Sequence, residues 1–382
     1  MTRAGTPPGQ KVKLSADVWA HVPDPLPPAI EWGPALVAAL SDADRVIGRL
    51  AGEGGRLPNP HLLIRPFIRR EAVLSSKIEG TQATLGELLA AEAGAVVERS
   101  PADLREVGNY VVALEYGIKR LKGLPLSLRL VQELHAKLMT GVRGDQARPG
   151  HFRDVQNWIG RPGSGIAGAM YVPPPPGHLM PCLDAWEKFL HDRSLPPLVQ
   201  VALAHYQFEA IHPFRDGNGR VGRLLITLFL MEREVLPTPL LYLSAFFEAS
   251  RPDYYGRLQG VHARAEWEAW LAYFLAGVAN QSKDALSRAI RINALLTRWR
   301  DKVMEAGLPA AARLLDLLAA NPFCTARGAA NRMKVAFTTA QRAVARLEAL
   351  GVVKQVNQAK RDRVYCATAL LKILEEPARL DP

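Results

Sequence analysis

Apolar residues recur every three to four positions through most of the chain, and these runs predict a mainly helical protein. From Pro34 to about Ala51 the stripe is Leu36, Val37, Leu40, Val46, Ile47 and Leu50, and Gly52, Gly54, Gly55 and Pro58 then break it. Residues 61–78 repeat the pattern, with Pro66 near the start. Thr84 is placed to cap a short following helix, and residues 103–121 show the period again through Leu104, Val107, Val111, Leu114, Ile118 and Leu121. Leu128 to Met139 comes next, with Ser127 as its N-cap and His135 as a core or surface histidine. His178–His191 and Pro197–Ala210 predict two further helices. Trp267–Val278 ends the core as an amphipathic helix, and Ser282–Glu305 continues as a long, basic one. Residues 1 to about 30 lack any period. Asp24-Pro25 and Pro27-Pro28 exclude a regular helix there, which leaves an arm or loop.

Two segments depart from the helical pattern. Between Pro149 and Pro176, Val155–Gly160 and Met170-Tyr171-Val172 are short β-prone runs around a turn rich in glycine (Gly160, Gly163, Gly165, Gly168), which predicts a hairpin. Residues 310–373 carry their own signals. Ala311–Ala319 is helical, and Asn321-Pro322-Phe323 breaks it. Thr325 caps a helix to Met333, and Thr338 or Thr339 starts a third helix ending at Gly351. Val352–Val356 reads as a strand, and Lys360–Arg363 turns the chain into a second strand at Val364-Tyr365-Cys366. Three helices and a basic hairpin suggest a winged helix. Its third helix would present Gln341, Arg342, Ala345 and Arg346 to a DNA groove, with Lys360, Arg361 and Arg363 near phosphates.

Charge strengthens that second reading. The 382 residues carry a net charge of +11, and residues 281–382 hold 18 Lys and Arg against 9 Asp and Glu. Such asymmetry points to DNA, although winged helices also dock proteins, so both partners stay open. Three widely spaced cysteines, Cys182, Cys324 and Cys366, suggest neither a disulfide framework nor a zinc site. The N-terminus shows no apolar leader and no stretch approaches membrane-spanning length, so a soluble cytoplasmic protein is expected.

The densest chemistry lies in Ile-His-Pro-Phe-Arg-Asp-Gly-Asn-Gly-Arg-Val-Gly-Arg, residues 211–223. His212 is a candidate general base and Asp216 a candidate metal ligand. Gly217, Asn218 and Gly219 form a short turn into an apolar helix, whose first N–H groups and dipole would face an anion. Arg220 and Arg223 are i,i+3 neighbours on that helix and offer two cations on one face. A base, a metal ligand, an anion hole and two cations together fit phosphate transfer.

This run resembles the signature of Fic-domain proteins, H-x-F-x-(D/E)-G-N-G-R-x-x-R, at every specified position. The resemblance implies a Fic-type helical core with a β-hairpin flap that transfers AMP from ATP to a Ser, Thr or Tyr hydroxyl of a target protein. It implies that His212 takes the hydroxyl proton, that Asp216 holds Mg²⁺, and that Gly217, Asn218 and Gly219 form the anion hole. Arg220 and Arg223 would bind the β- and γ-phosphates. Gly219 stands where the Doc-type kinases carry Lys, which argues against phosphorylation. Ser75-Ser76-Lys77-Ile78-Glu79-Gly80 is similar to the family's inhibitory motif, (S/T)-x-x-x-E-(G/N). By that likeness Glu79 would pair with Arg223 and keep ATP in an unproductive pose. The hairpin at about 150–176 would be the flap that docks the target by strand addition. Tyr254 and Tyr255 resemble residues bordering the family's adenine pocket.

The expected organisation is an N-terminal region (1–100), a Fic core (101–280), a linker helix (281–309) and a winged helix (310–373). Three functions stay open: a self-inhibited adenylyltransferase that also modifies itself, a de-AMPylase in which Glu79 orients water, and a DNA-binding regulator with a nucleotide-responsive core. A homodimer is compatible with each.

Overall fold

A computed structural model describes residues 8–56, 60–142, 148–161, 163–359 and 361–378. Lys360 and the predicted helix breaker Pro58 lie outside them. The chain divides into two compact units. The first comprises residues 1–48, 109–237 and 246–280, and the second 49–108, 238–245 and 281–382.

Along the chain the helices are α1 (Pro34–Arg56), α2 (Pro60–Ile78), α3 (Leu85–Glu92), α4 (Pro101–Arg120) and α5 (Leu128–Leu138). There follow α6 (Pro176–Leu190), α7 (Pro197–Ile211), α8 (Asn218–Glu232), α9 (Ser244–Ala249), α10 (Arg251–Arg264) and α11 (Trp267–Glu305). The last are α12 (Pro309–Ala320), α13 (Ala326–Met333), α14 (Phe337–Ala349) and α15 (Thr368–Glu375). Strands β1 (Gln10–Lys13) and β2 (Trp19–Val22) precede all of them, and β3 (Phe323–Thr325), β4 (Lys354–Gln355) and β5 (Val364–Cys366) lie among the C-terminal helices.

In the first unit, α7 and α8 form the centre. Both are buried on nearly every side, as helices without a polar face must be. They approach closely at Gly222, where a Cβ would meet the Glu209 carboxylate at 2.4 Å and the Phe208 ring at 3.2 Å. Indole N–H groups tie neighbours to α7: Trp186 donates to the Ala204 carbonyl at 2.9 Å, and Trp270 to that of Ala202 at 3.0 Å. The expected N-terminal loop instead holds an antiparallel hairpin, β1–β2, in register Gln10 with Val22. Its strands are only four residues long, too short for alternation to stand out beside the prolines.

In the second unit, α12 packs on α2 and α14, α13 packs on α14, and α15 rests on α2 and α3. The antiparallel sheet has the order β3-β5-β4. Thr84 and Thr325 cap α3 and α13 as predicted, Thr84 within a full capping box with Glu87. Buried Arg288 anchors the end of α15, donating to the Glu376 and Pro377 carbonyls at 2.8 and 3.1 Å while paired with Asp284 at 2.7 Å. Arg70 on α2 donates to the same Glu376 carbonyl at 3.3 Å.

Three further differences from the sequence reading appear here. The break at Asn321-Pro322-Phe323 ends α12 as read, and a strand not expected there, β3, follows because β5 supplies its partner edge. Helix α15 follows β5 where none was expected. The two helices expected on either side of residue 280 are one, α11, of 39 residues. No proline or glycine lies between Val278 and Ser282 to end it.

Candidate active site

The run 211–223 folds as the end of α7, a short loop and the start of α8. His212 is the C-cap of α7 and adopts a left-handed conformation, φ 49° and ψ 60°. For a residue with a Cβ this costs about 1–2 kcal/mol, so surrounding contacts must hold it. The His212 Nδ1 lies 3.3 Å from the Glu209 carbonyl oxygen. A carbonyl only accepts, so the contact assigns the proton to Nδ1 and makes Nε2 the basic nitrogen.

Gly217 begins α8 at φ 78°, and a Cβ there would lie 2.9 Å from the Met139 sulfur. Glycine is therefore required twice, for conformation and for space. The N-cap, Gly217, has no side chain with which to cap α8, and first-turn N–H groups of a helix have no partner within it. Asn218 is 2 % exposed and turned inward: its Oδ1 accepts from the Phe214 N–H at 2.8 Å and its Nδ2 donates to the Phe214 carbonyl at 2.9 Å. Its side chain thus closes the loop, which leaves only its main-chain N–H to face an anion.

Asp216 points outward with its side chain 60 % exposed, and Oδ1 accepts from the Gly217 N–H at 2.6 Å. Arg220 and Arg223 are both buried on α8, and Arg220 Nη2 lies 3.8 Å from Asp216 Oδ1. Burial places their charges where the local dielectric strengthens attraction to an anion. Burial, aided by the Arg223 charge, pushes the neighbouring His205 down to about 3.

The hairpin expected at 150–176 is present in minimal form. A single antiparallel bridge joins Ile159 to Tyr171, with the Ile159 N–H donating to the Tyr171 carbonyl at 2.8 Å. Beyond it, the His21 N–H of β2 donates to the Val172 carbonyl at 2.8 Å, so the N-terminal hairpin lines one edge of the flap. Trp158 and Met170 are exposed on it.

The two tyrosines separate. Tyr254 is 1 % exposed, stacked on Phe247 at 4.5 Å, with its hydroxyl 2.9 Å from His205 Nε2. A base could reach its face only by unpacking that cluster, so of the pair Tyr255 alone offers an accessible ring. Glu79 lies in the second unit at the exposed end of α2, where Gly80 adopts φ 100° and its N–H donates to the Lys77 carbonyl at 3.0 Å. Arg342 and Arg346 are exposed on α14, opposite its buried face of Ala340, Ala343, Val344 and Leu347. Arg361 and Arg363 are exposed before β5.

Three residues support the site in ways the sequence did not display, among them His135, which is in the core, one of the two places expected for it. His135 is fully buried beneath the loop, stacked on Phe214 at 3.7 Å. Its Nδ1 accepts from the Gly150 N–H at 2.9 Å, so Nε2 carries the proton and donates to the Asp216 carbonyl at 3.0 Å. Burial lowers its pKa to about 4. Arg153 and Asn157, which precede the flap bridge, donate to the His212 carbonyl at 2.9 and 3.2 Å. None of the three sits in a recognisable spacing, and their acceptors are main-chain atoms that a sequence does not display.

Comparison with known proteins agrees with this geometry. Residues 37–119 match the Fic/DOC family N-terminal region, and residues 125–230 match the Fic/DOC family domain. The chain is similar to proteins named protein adenylyltransferase Fic. It is 34 % identical over 165 residues to that of Drosophila virilis, covering 40 % of this chain and 31 % of the relative. The Drosophila grimshawi protein is 33 % identical with the same coverage. The chain thus spans about a third of the length of these relatives. A Fic family protein from Desulfovibrio desulfuricans G20 superposes with a TM-score of 0.60 at 20 % identity, over 89 % of this chain and 98 % of that one. A Fic domain containing signaling protein from Bacteroides thetaiotaomicron superposes with a TM-score of 0.52 at 19 % identity, over 68 % and 97 %. At those identities the two structures establish the fold.

Proposed function

This chain belongs to the Fic/DOC family, and from that premise we propose that it transfers AMP from ATP to a hydroxyl side chain of a protein. The observation that carries the reading is the left-handed His212 one short loop ahead of the α8 start at Gly217, with Arg220 and Arg223 on that helix. His212 Nε2 accepts the proton of the target hydroxyl. The hydroxyl oxygen bonds to the α-phosphorus, and the bond from that phosphorus to the bridging oxygen breaks, releasing pyrophosphate. The N–H groups of the α8 first turn and the two arginines offset the charge on the phosphates.

The donor set fits Mg²⁺. Asp216 is an outward carboxylate with one oxygen held by a main-chain N–H, which suits an ion shared with substrate phosphates. Asp216 would hold such an ion, which would supply positive charge against the substrate phosphates. The flap, with its edge at Trp158 and Gly160, receives an extended target segment through main-chain hydrogen bonds.

Glu79 restrains the reaction by competing with the γ-phosphate for Arg223. The C-terminal elements read as a winged helix, in which Arg342 and Arg346 meet DNA phosphates or bases and Arg361 and Arg363 lie in the wing. Alternation of buried and exposed positions on α14 supports this. Among the described residues no helix is long and apolar enough to cross a membrane.

The test uses ATP labelled at the α-phosphate, and in parallel at the γ-phosphate, with wild type, Glu79→Gly and His212→Ala. Restrained AMP transfer predicts α-label on the Glu79→Gly protein, less on wild type and none without His212. γ-Label would replace AMP transfer with phosphorylation, and equal label on wild type and Glu79→Gly would remove the inhibitory role.

A further inference from the structure

His212 can act as a base only while its strained turn is held, so whatever holds its carbonyl holds the imidazole too. Arg153 and Asn157 do so. Arg153 is 3 % exposed and donates from Nε to the His212 carbonyl at 2.9 Å, from Nη2 to the Ile211 carbonyl at 3.3 Å and the Pro174 carbonyl at 2.6 Å, and from Nη1 to the Val155 carbonyl at 3.2 Å. Its own N–H donates to the Pro213 carbonyl at 2.9 Å. Asn157 Nδ2 donates to the His212 carbonyl at 3.2 Å and the Phe214 carbonyl at 3.0 Å.

The acceptors define the function of this cluster. Ile211 and His212 end α7, where carbonyls lack helical partners and the dipole favours a cation. Val155 and Pro174 stand on the two legs of the flap. One guanidinium therefore ties both flap legs to the two residues that set the direction of His212. The Tyr171 hydroxyl, on the flap bridge itself, adds a bond to the Ala210 carbonyl at 3.0 Å.

We infer that Arg153, seconded by Asn157, is a positioning residue that keeps His212 in its left-handed turn and couples that turn to the flap. The inference rests on His212 being the base of the proposed reaction. Arg153 touches no reacting atom. Its planar fork is what lets one side chain span four carbonyls, which a lysine ammonium cannot reproduce. Seating a target on the flap would then stiffen the base, and loosening the clamp would leave nucleotide binding at α8 in place.

The experiment compares Arg153→Lys and Asn157→Ala in the full-length Glu79→Gly protein. Rate at saturating ATP, KM for ATP, thermal midpoint and the ¹⁵N signature of His212 are measured, the last assigned among the 9 histidines by His212→Ala. A base displaced by about 1 Å loses on the order of 100-fold in rate. The expected result is a loss of that order in kcat for Arg153→Lys and a smaller one for Asn157→Ala, with KM for ATP within about twofold. His212 is expected to shift from the Nδ1-protonated form to the mixture of an unconstrained imidazole. An unchanged His212 signature in a folded Arg153→Lys protein overturns the inference. So does a kcat within threefold of the parent, or a loss carried entirely in KM. If Arg153→Lys does not fold, Asn157→Ala carries the same test. If the Glu79→Gly parent incorporates no label, the AMP-transfer reading fails, while the His212 signature still decides the positioning role.

Discussion

Replacing His135 with Phe isolates what lies beneath the active-site loop. Phe keeps a ring against Phe214 but removes the acceptor for the Gly150 N–H and the donor to the Asp216 carbonyl. A buried polar group left without its partner costs about 1–3 kcal/mol. The Asp216 carbonyl is only part-buried, so the two losses should total about 2–3 kcal/mol at pH 7. The pH dependence makes the prediction sharper. Burial lowers the folded-state pKa of His135 from 6.5 to about 4, so the fold favours the neutral ring. Its contribution is complete above pH 6.5 and drains away as the pH falls toward 4. Between pH 7 and pH 5 the wild type should lose about 2 kcal/mol through this residue alone. His135→Phe has nothing to titrate there, so its deficit should shrink by that amount. His21 and His205, also pushed down by burial, titrate in both proteins and cancel in the difference. Urea unfolding followed by tryptophan fluorescence at the two pH values gives the comparison. A gap between wild type and variant that is the same at pH 5 as at pH 7 would refute the assigned hydrogen bonds.

Other perturbations follow from the same geometry. Asn218→Ala removes both bonds to Phe214, and should lower stability by about 1–3 kcal/mol and weaken ATP affinity, measured by calorimetry; unchanged affinity would make the loop closure irrelevant to the nucleotide. Gly217→Ala forces a Cβ into the left-handed region against Met139, and a lowered thermal midpoint with reduced label incorporation is expected. Asp216→Asn should raise the Mg²⁺ concentration needed for half-maximal labelling, and an unshifted Mg²⁺ curve would place the ion elsewhere. For the C-terminal elements, Arg342→Ala with Arg346→Ala should weaken duplex DNA binding and flatten its salt dependence. Absent or salt-insensitive binding by the wild type would leave protein docking as the role of α14.

Most helices were legible because burial of one stripe writes a period of 3.6 into the sequence, and Thr84, Ser127 and Thr325 mark starts by a cap that needs only local chemistry. What failed to show was non-local. Strand β3 exists because β5 pairs with it, and β1 and β2 exist because each completes the other. Within α11 no proline or glycine between Val278 and Ser282 marks a boundary, so the helix runs on. At the site, residues 211–223 announced themselves by composition. His135, Arg153 and Asn157 did not, since each works through carbonyls and N–H groups that every residue possesses. Tyr254 shows the opposite ambiguity, because an aromatic side chain advertises stacking in a sequence whether its face meets a ligand or Phe247.

Helix α2 carries the Glu79 motif at its end, yet along its length it packs against α12 and α15, and Arg70 reaches the residue that closes α15. A helix shared in this way cannot be stabilised for one purpose alone. By reciprocity of binding free energies, a ligand whose binding changes how α12 or α15 packs on α2 would be coupled to α2, and the state of α2 would alter that ligand's affinity in equal measure. Measured from either end, the coupling has to come out the same, which makes the far end of this protein an instrument for reading the state of α2.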